Sequence, residues 1–308
     1  MKILSQAPTR ISLFGGGTDL PVFSNRFGGT VISMAVNIYQ RFFMSDGEKK
    51  EWKTVSDNQD FYNTIFKWMD YEPNAFRQDF DGSIESGLGS SASCAVGMIA
   101  AITRLKGKYM TREQIAEKAW DIEVNGLKMY GGKQDQYAAA YGGMNVIYFN
   151  ETVQVDPFER WRSERLVDNL LLFYIGENRQ NPKIQEELFQ LDQDKINSLQ
   201  ALKEIAEAAI GYLWTKDWPK VAELLDSSWH YKKLSNPKIT TEKVDELYAK
   251  AKEAGAKGGK LCGSGGGGHM VFMASPEKQQ KVTSTLLSLG CTPVDFSIDW
   301  SGVTTKFL

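Results

Sequence analysis

Residues Ser86 to Gly97 read Ser-Gly-Leu-Gly-Ser-Ser-Ala-Ser-Cys-Ala-Val-Gly, a glycine-serine turn that runs directly into a small, apolar helix. Gly87 and Gly89 permit a tight turn and a close backbone approach, while Ser90, Ser91 and Ser93 set hydroxyls beside the unpaired N–H groups of a helix start. This is anion-binding chemistry, and a phosphate is its natural guest; a plain glycine turn capping a core helix is the other reading of the segment taken alone. Two familiar phosphate motifs do not fit. There is no G-x-x-x-x-G-K-[ST] string, and no lysine follows Gly89 to reach outer phosphates. Gly87-x-Gly89-x-x-Ala92 and Gly263-x-Gly265-x-x-Gly268 both match the spacing of a dinucleotide-binding turn, but neither has its context. Asp81–Ser86 is too polar for a buried parallel strand, and Met270–Met273, after Gly268, reads as a strand rather than a helix.

A chain of 308 residues is long enough to bury one large or two medium cores. Its net charge of −2 argues against nucleic-acid or membrane-surface partners, which need a basic patch. The start is poor in apolar residues for a signal peptide and no run of about 18 apolar residues occurs, so a cytoplasmic protein is expected. Cys94, Cys262 and Cys291 are an odd, widely spaced set that suits reduced thiols. With only His230 and His269, histidine triads and His-rich metal sites are disfavoured. Oxygen ligands and carboxylates are left to carry the chemistry.

Alternation of β-branched and aromatic residues predicts strands at Lys2–Leu4, Arg10–Phe14, Thr30–Asn37, Gln40–Met44 and Asn145–Phe149. Helices are predicted at Ser91–Leu105 and Thr111–Gly126, the second opening on a Thr111/Gln114 capping box. After Val155-Asp156-Pro157 come amphipathic helices at Asn197–Trp214, Trp218–His230 and Thr241–Ala254. Strands at Lys260–Cys262 and His269–Ala274, a helix at Glu277–Leu289 and a strand at Thr292–Ile298 then suggest a ferredoxin-like α+β unit. A two-domain α+β protein follows, divided near residues 155 to 165.

Three further segments carry polar groups in unusual settings. Arg10 lies in the strand leading to Gly15-Gly16-Gly17-Thr18-Asp19, as either a surface charge or an inward functional one. Thr18 and Asp19 offer a hydroxyl and a carboxylate that suit a polyol or, equally, a turn cap. In Gly131-Gly132-Lys133-Gln134-Asp135-Gln136-Tyr137-Ala138, Asp135 is placed either to deprotonate an attacking hydroxyl or to complement a helix dipole. Glu123 gains interest if its helix faces Ser91, since a hydroxyl and one carboxylate are the sparse ligation typical of nucleotide-bound Mg²⁺. The cluster Gly258–His269 allows close backbone approach or a flexible connection.

Taken together and in order, Arg10 to Asp19, Gly87 to Ser93 and Leu261 to Gly268 resemble the three motifs of the GHMP kinases, the superfamily of galactokinase, homoserine kinase, mevalonate kinase and phosphomevalonate kinase. The resemblance implies a GHMP kinase fold of α+β class: a ribosomal-S5-domain-2-like α/β domain over residues 1–160 and a ferredoxin-like α+β domain over residues 161–308. Within the superfamily, Ala7–Ser12, Gly15–Pro21 and Gly132–Ala139 look most like the D-glycero-D-manno-heptose 7-phosphate kinases, which phosphorylate an anomeric hydroxyl. That likeness implies ATP and Mg²⁺ as cofactors, a sugar phosphate as acceptor, a monomer or homodimer, and a place in nucleotide-activated heptose biosynthesis for surface polysaccharide.

The same resemblance assigns roles. Gly87, Leu88, Gly89, Ser90, Ser91 and Ala92 match the loop around the nucleotide phosphates, and Ser91 and Glu123 match the Mg²⁺ positions. Asp135 matches the catalytic aspartate and Arg10 the basic residue that supports it. Gly17, Thr18 and Asp19 match sugar-contacting positions, and Lys133, with Arg41 and Arg26, is a candidate for the acceptor phosphate. Galactokinases carry Glu-His where this chain has Gly16-Gly17, which makes room for a bulkier or phosphorylated sugar. Ser83 replaces a proline common in relatives, implying with Ser86 a less rigid loop. The competing readings are a kinase for free heptose, fucose or another hexose, and a sugar- or nucleotide-binding regulator without turnover.

Overall fold

The computed structural model describes residues 1–47, 52–82, 87–176 and 191–308; Ser83 and Ser86 lie outside the described residues. Two long strands organise the first half: β1 (Lys2–Phe14) and β2 (Gly29–Ser45) pair antiparallel along most of their length. The two short strands predicted at Lys2–Leu4 and Arg10–Phe14 are one strand, because a register shift between Pro8 and Thr9 carries the ladder past a residue that has no N–H to donate. The shift also exchanges faces. Ile3 and Ala7 pack on one side of the sheet, whereas Ile11 and Leu13 pack on the other. Arg10 and Ser12, as the alternates of Ile11 and Leu13, therefore turn toward the side that carries the helices described next.

The other edge of β2 is shared by β4 (Ala75–Phe80), which pairs with β3 (Trp52–Lys53), and by β5 (Met144–Phe149), which pairs with β6 (Val153–Pro157). After α1 (Pro21–Phe27), helices α2 (Gln59–Trp68), α3 (Ser90–Leu105), α4 (Arg112–Asp121) and α5 (Gln134–Tyr141) build a core on one face. Small residues bring α3 close to the sheet: a Cβ on Gly97 would stand 2.5 Å from the Phe42 ring, and Ser93 Oγ donates to the Ala7 carbonyl at 2.9 Å. The expected capping box forms, with Thr111 Oγ1 accepting from Gln114 N and Gln114 Oε1 from Thr111 N. The helix predicted to Gly126 ends its α geometry at Asp121 and continues as a π turn over Ile122–Gly126.

After α6 (Arg160–Val167), the second half forms an antiparallel sheet of β7 (Leu170–Tyr174), β8 (Gly258–Leu261), β9 (His269–Met273) and β10 (Thr292–Pro293) in the ferredoxin-like order β10-β7-β9-β8. Helices α7 (Gln193–Thr215), α8 (Trp218–Ser235), α9 (Glu242–Ala254) and α10 (Pro276–Ser288) accompany it, and β11 (Thr304–Phe307) returns to pair with β1. The strand predicted over Thr292–Ile298 is confined to β10, because the chain then leaves β7 for β2: Ser297 N donates to Asn37 Oδ1, and Ile298 bridges Val36. Ile11, Leu13, Ile32 and Met34 share one core with Leu213, Leu225, Leu172 and Val271, so the two sheets are packed through α7 and α8. No helix among the described residues is long and apolar enough to cross a membrane.

Candidate active site

A cavity of about 390 Å³ opens where the end of β1, the N-termini of α3 and α5, and the loop after β8 converge. Two glycine-rich segments interlock at its floor. A Cβ on Gly87 would lie 2.5 Å from the Cys262 carbonyl oxygen, and one on Gly263 2.6 Å from Gly87 Cα; their φ angles are +80° and +77°. Both positions thus demand glycine for conformation and for contact. The backbone of Arg10 donates to the Leu88 carbonyl at 2.9 Å, which fixes the loop to β1, and the Leu88 side chain is buried in the core. Gly87, Gly89, Ser90, Ser91 and Ala92 line the cavity, the serines at the first turn of α3.

Arg10, only 4% exposed, reaches across from the sheet. Its Nε and Nη2 hold the two oxygens of Asp135 at 2.7 and 2.6 Å, and its Nη1 donates to the Gly87 carbonyl at 2.7 Å. Burial works against the guanidinium, but the bidentate Asp135 pair outweighs it and the Arg10 pKa stands above its ordinary value. Asp135, in the first turn of α5, keeps a quarter of its side chain exposed in the cavity. A ligand at the start of α3 therefore meets a carboxylate whose orientation is set by Arg10.

Deeper on the same side, the π turn brings Glu123 inward. Ser91 Oγ donates to Glu123 Oε1 at 2.6 Å and Gln136 Nε2 donates to Oε2. Burial pushes the Glu123 carboxyl up to about 7, against the lowering effect of these two donors, with the Asp135 charge adding to the rise. The condition set by the sequence, that the helix of Glu123 face Ser91, is met. A hydroxyl and a carboxylate side by side, both on the cavity wall, form a hard-oxygen set that fits one divalent cation carried by a phosphate. Among the described residues no cluster of three or more carboxylate, thiol or imidazole groups could hold a metal alone.

The Gly15–Asp19 turn forms a second wall, beside the start of α5. Asp19 Oδ1 accepts from Gly17 N and from Gln134 Nε2, and Oδ2 accepts from Gln134 N, so Asp19 caps α5 from a distant part of the chain. Burial raises its pKa, partly offset by those backbone donors. Gly17 and Asp19 line the cavity, whereas Thr18 does not: its Oγ1 staples the turn by donating to Gly15 O and accepting from Thr30 N. Lys133 also falls outside. Its ammonium is bound to both oxygens of Glu117, at 2.9 and 2.7 Å, and rests over the Trp120 ring. Arg41 is engaged by Asp81 and Gln6, and Arg26 stacks on Phe27. The cations that do line the cavity with Arg10 are Lys232, from α8, and Lys260, from β8. Sequence reasoning passed over both; only Lys260, ahead of the Gly263–Gly268 run, carried a positional hint.

A glycine-serine helix start beside an aligned carboxylate and a hard-oxygen pair is the geometry that a phosphotransferase of small molecules needs. The chain matches the GHMP kinases N terminal domain over residues 67–143 and the GHMP kinases C terminal domain over residues 199–289. It is 27% identical to a D-glycero-alpha-D-manno-heptose 7-phosphate kinase of Campylobacter jejuni, over 98% of both chains, and 25% identical to a mevalonate kinase of Thermococcus sibiricus, again over 98% of both. The solved structure of a D-glycero-D-manno-heptose 1-phosphate kinase from Bacteroides thetaiotaomicron superposes with a TM-score of 0.78 at 24% identity, covering 99% of each chain, which supports the shared fold. The chain belongs to the GHMP kinases, has their fold, and is an ATP-dependent phosphotransferase.

Proposed function

We propose that this protein is a sugar kinase that transfers the γ-phosphoryl group of ATP to the anomeric hydroxyl of D-glycero-D-manno-heptose 7-phosphate. The observation that carries the reading is the Arg10–Asp135 pair, which sets a cavity-facing carboxylate beside the start of α3 and is tied to the loop through Gly87. The 98% coverage of a heptose 7-phosphate kinase, and the bare Gly16-Gly17 backbone on the acceptor wall, support the choice of acceptor. In this reading the chain divides at residue 160 into a first domain, 1–160, that holds the phosphate loop and Asp135, and a second, 161–308, that closes the cavity.

In the proposed reaction the Asp135 carboxylate takes the proton of the acceptor hydroxyl as that oxygen bonds to the γ-phosphorus. The bond from the γ-phosphorus to the bridging oxygen breaks and ADP leaves. Transfer of this kind depends on alignment and charge neutralisation more than on covalent work by the protein. The Gly87–Ala92 backbone cradles the phosphates, and Arg10 keeps Asp135 aimed. Ser91 and Glu123 would hold Mg²⁺, which when bound neutralises phosphate charge. Phe61, Tyr62, Val124 and Met129 give one end of the cavity an apolar lining suited to the nucleoside base. Asp19 orients the acceptor wall through Gln134, beside Gly17.

The test is ADP release with ATP and Mg²⁺ across heptose 7-phosphate, free heptose, mannose 6-phosphate, fucose, galactose and mevalonate, with the product position read by phosphorus NMR. Anomeric phosphorylation of the heptose 7-phosphate alone is expected. Turnover confined to another acceptor refutes the heptose assignment.

A further inference from the structure

Two lysines on the acceptor wall have charges that none of the described residues pairs. Lys232 Nζ donates to the Gly16 carbonyl at 2.8 Å and Lys260 Nζ to the Leu13 carbonyl at 3.3 Å, so both ammonium groups converge on one short segment at the end of β1. Lys260 is 4% exposed, and Lys232 is half-buried and comes so close to the turn that a Cβ on Gly17 would lie 2.9 Å from its nitrogen. Among the described residues, neither makes an ion pair. The carboxylate that faces Lys232 is Asp19, and its oxygens are already engaged by Gly17 and Gln134. The groups that face Lys260 are Lys232, Arg10 and Cys262. An ammonium has further N–H donors beyond the one each lysine spends on a carbonyl, and enclosed charge without a counter-ion is costly.

A second observation marks the same wall. Ser12, 5% exposed and lining the cavity, has a hydroxyl with no hydrogen-bond partner among the described residues, and that hydroxyl would lie 2.9 Å from a Cβ on Gly16. Buried polar atoms are nearly always satisfied, so this one points to a missing ligand atom. We propose that Lys232 and Lys260, with the Ser12 hydroxyl, seat a phosphate monoester carried by the acceptor, at the end of β1. This rests on the phosphorylated-acceptor reading above and moves its anion contact away from Lys133, whose charge Glu117 already neutralises. The depressed pKa values, about 8 for Lys232 and about 7 for Lys260, mainly from burial, are what a pocket built for a dianion looks like before the dianion arrives.

The test is the pair of dissociation constants for heptose 7-phosphate and free heptose, measured by calorimetry with a non-hydrolysable ATP analogue present, for the wild-type protein and for Lys232→Met, Lys260→Met and the milder Ser12→Ala. Loss of a charge-assisted contact should lower the preference for the phosphorylated sugar about 10- to 100-fold in each lysine variant and several-fold in Ser12→Ala, with Lys133→Ala leaving the preference intact. Thermal unfolding reports whether each variant is folded, and Ser12→Ala carries the test if a lysine variant is not. A wild type that prefers the 7-phosphate, with variants that keep that preference or lose both sugars equally, overturns the phosphate seat and leaves the kinase reading in place. A wild type that binds both sugars alike removes the phosphorylated acceptor and the seat with it.

Discussion

The two walls of the cavity, donor and acceptor in the proposed reading, treat their lysine, arginine and carboxylate side chains in different ways. On the donor wall, Arg10 is matched to Asp135 and Glu123 to Ser91 and Gln136. On the acceptor wall, Lys232 and Lys260 rest on backbone carbonyls and Ser12 has no hydrogen-bond partner among the described residues. In the proposed reading the donor wall is already organised for a ligand of fixed shape, the triphosphate. On the acceptor wall Asp19 is engaged but Lys232, Lys260 and Ser12 keep open valences, and there specificity can be set by what fills them. Fixed partners hold a reacting carboxylate in place; open ones discriminate among ligands.

The largest effect that this contrast predicts lies on the donor wall. Asp135→Asn keeps the shape and removes the proton acceptor, so kcat should fall by about 10²- to 10⁴-fold while ATP affinity changes little. Near-normal turnover would take Asp135 out of the chemistry. Next comes Arg10→Met, which strands Asp135 and the Gly87 carbonyl. Breaking one side of a largely buried ion pair costs about 3–5 kcal/mol, so denaturant unfolding should show a loss of that order together with slower turnover. A change below about 1 kcal/mol would mean that the pair is no better than a surface contact and that the donor wall is less fixed than its distances suggest.

How far the sequence revealed each wall follows the same division. Donor residues lie in contiguous strings whose residue types announce their use: glycines before a serine-rich helix start, and an aspartate at the first turn of a small-residue helix. Glu123 was legible only as a condition, because periodicity gives no sign that α4 would slip into a π turn and rotate the carboxylate inward. Arg10 was undecidable for a related reason, since the Pro8/Thr9 register shift that selects its face is a tertiary event. The acceptor wall joins Ser12, Asp19, Lys232 and Lys260, residues separated by up to two hundred positions or more. Lys232 sits among other lysines on an amphipathic helix and carries no local signal. The fold was more accessible, except where strand length depended on a bulge, as in β1, or on a chain crossing between sheets, as after β10.

The two walls should also oppose each other in the pH dependence of stability of the ligand-free protein. Glu123 has a raised pKa of about 7, so the native state holds its proton longer than the unfolded chain, and its contribution is lost as pH rises from about 4.5 to 7. The lysines shift the other way. With Lys260 lowered to about 7 and Lys232 to about 8, the unfolded chain binds more protons above neutrality, and stability attributable to the pair rises from about pH 7 toward 10.5. Burial dominates both shifts, with Asp19 opposing it for Lys232 and with Lys195, Lys232 and Arg10 reinforcing it on the lysine side. The wild type minus Glu123→Gln difference in unfolding free energy should therefore slope downward below neutrality, and the wild type minus Lys260→Met difference upward above it. Parallel slopes would mean that the two walls do not differ in the way their contacts indicate.

The smallest effect is expected at Lys133, and it is informative because this lysine lies near Asp135 in sequence but outside the cavity. Its ammonium gains from Glu117 and from the Trp120 ring, both partly exposed contacts of the kind worth about 0.2–1 kcal/mol each. Lys133→Ala leaves Glu117 with the Tyr137 hydroxyl as a donor at 2.7 Å, so no carboxylate is stranded. Unfolding free energy should drop by no more than about 2 kcal/mol, with turnover on phosphorylated and unphosphorylated acceptors lowered by the same small factor or not at all. If this variant instead lost phosphorylated acceptors selectively, the ion pair with Glu117 would have to open on binding, and the acceptor phosphate would belong beside α5 rather than at the end of β1.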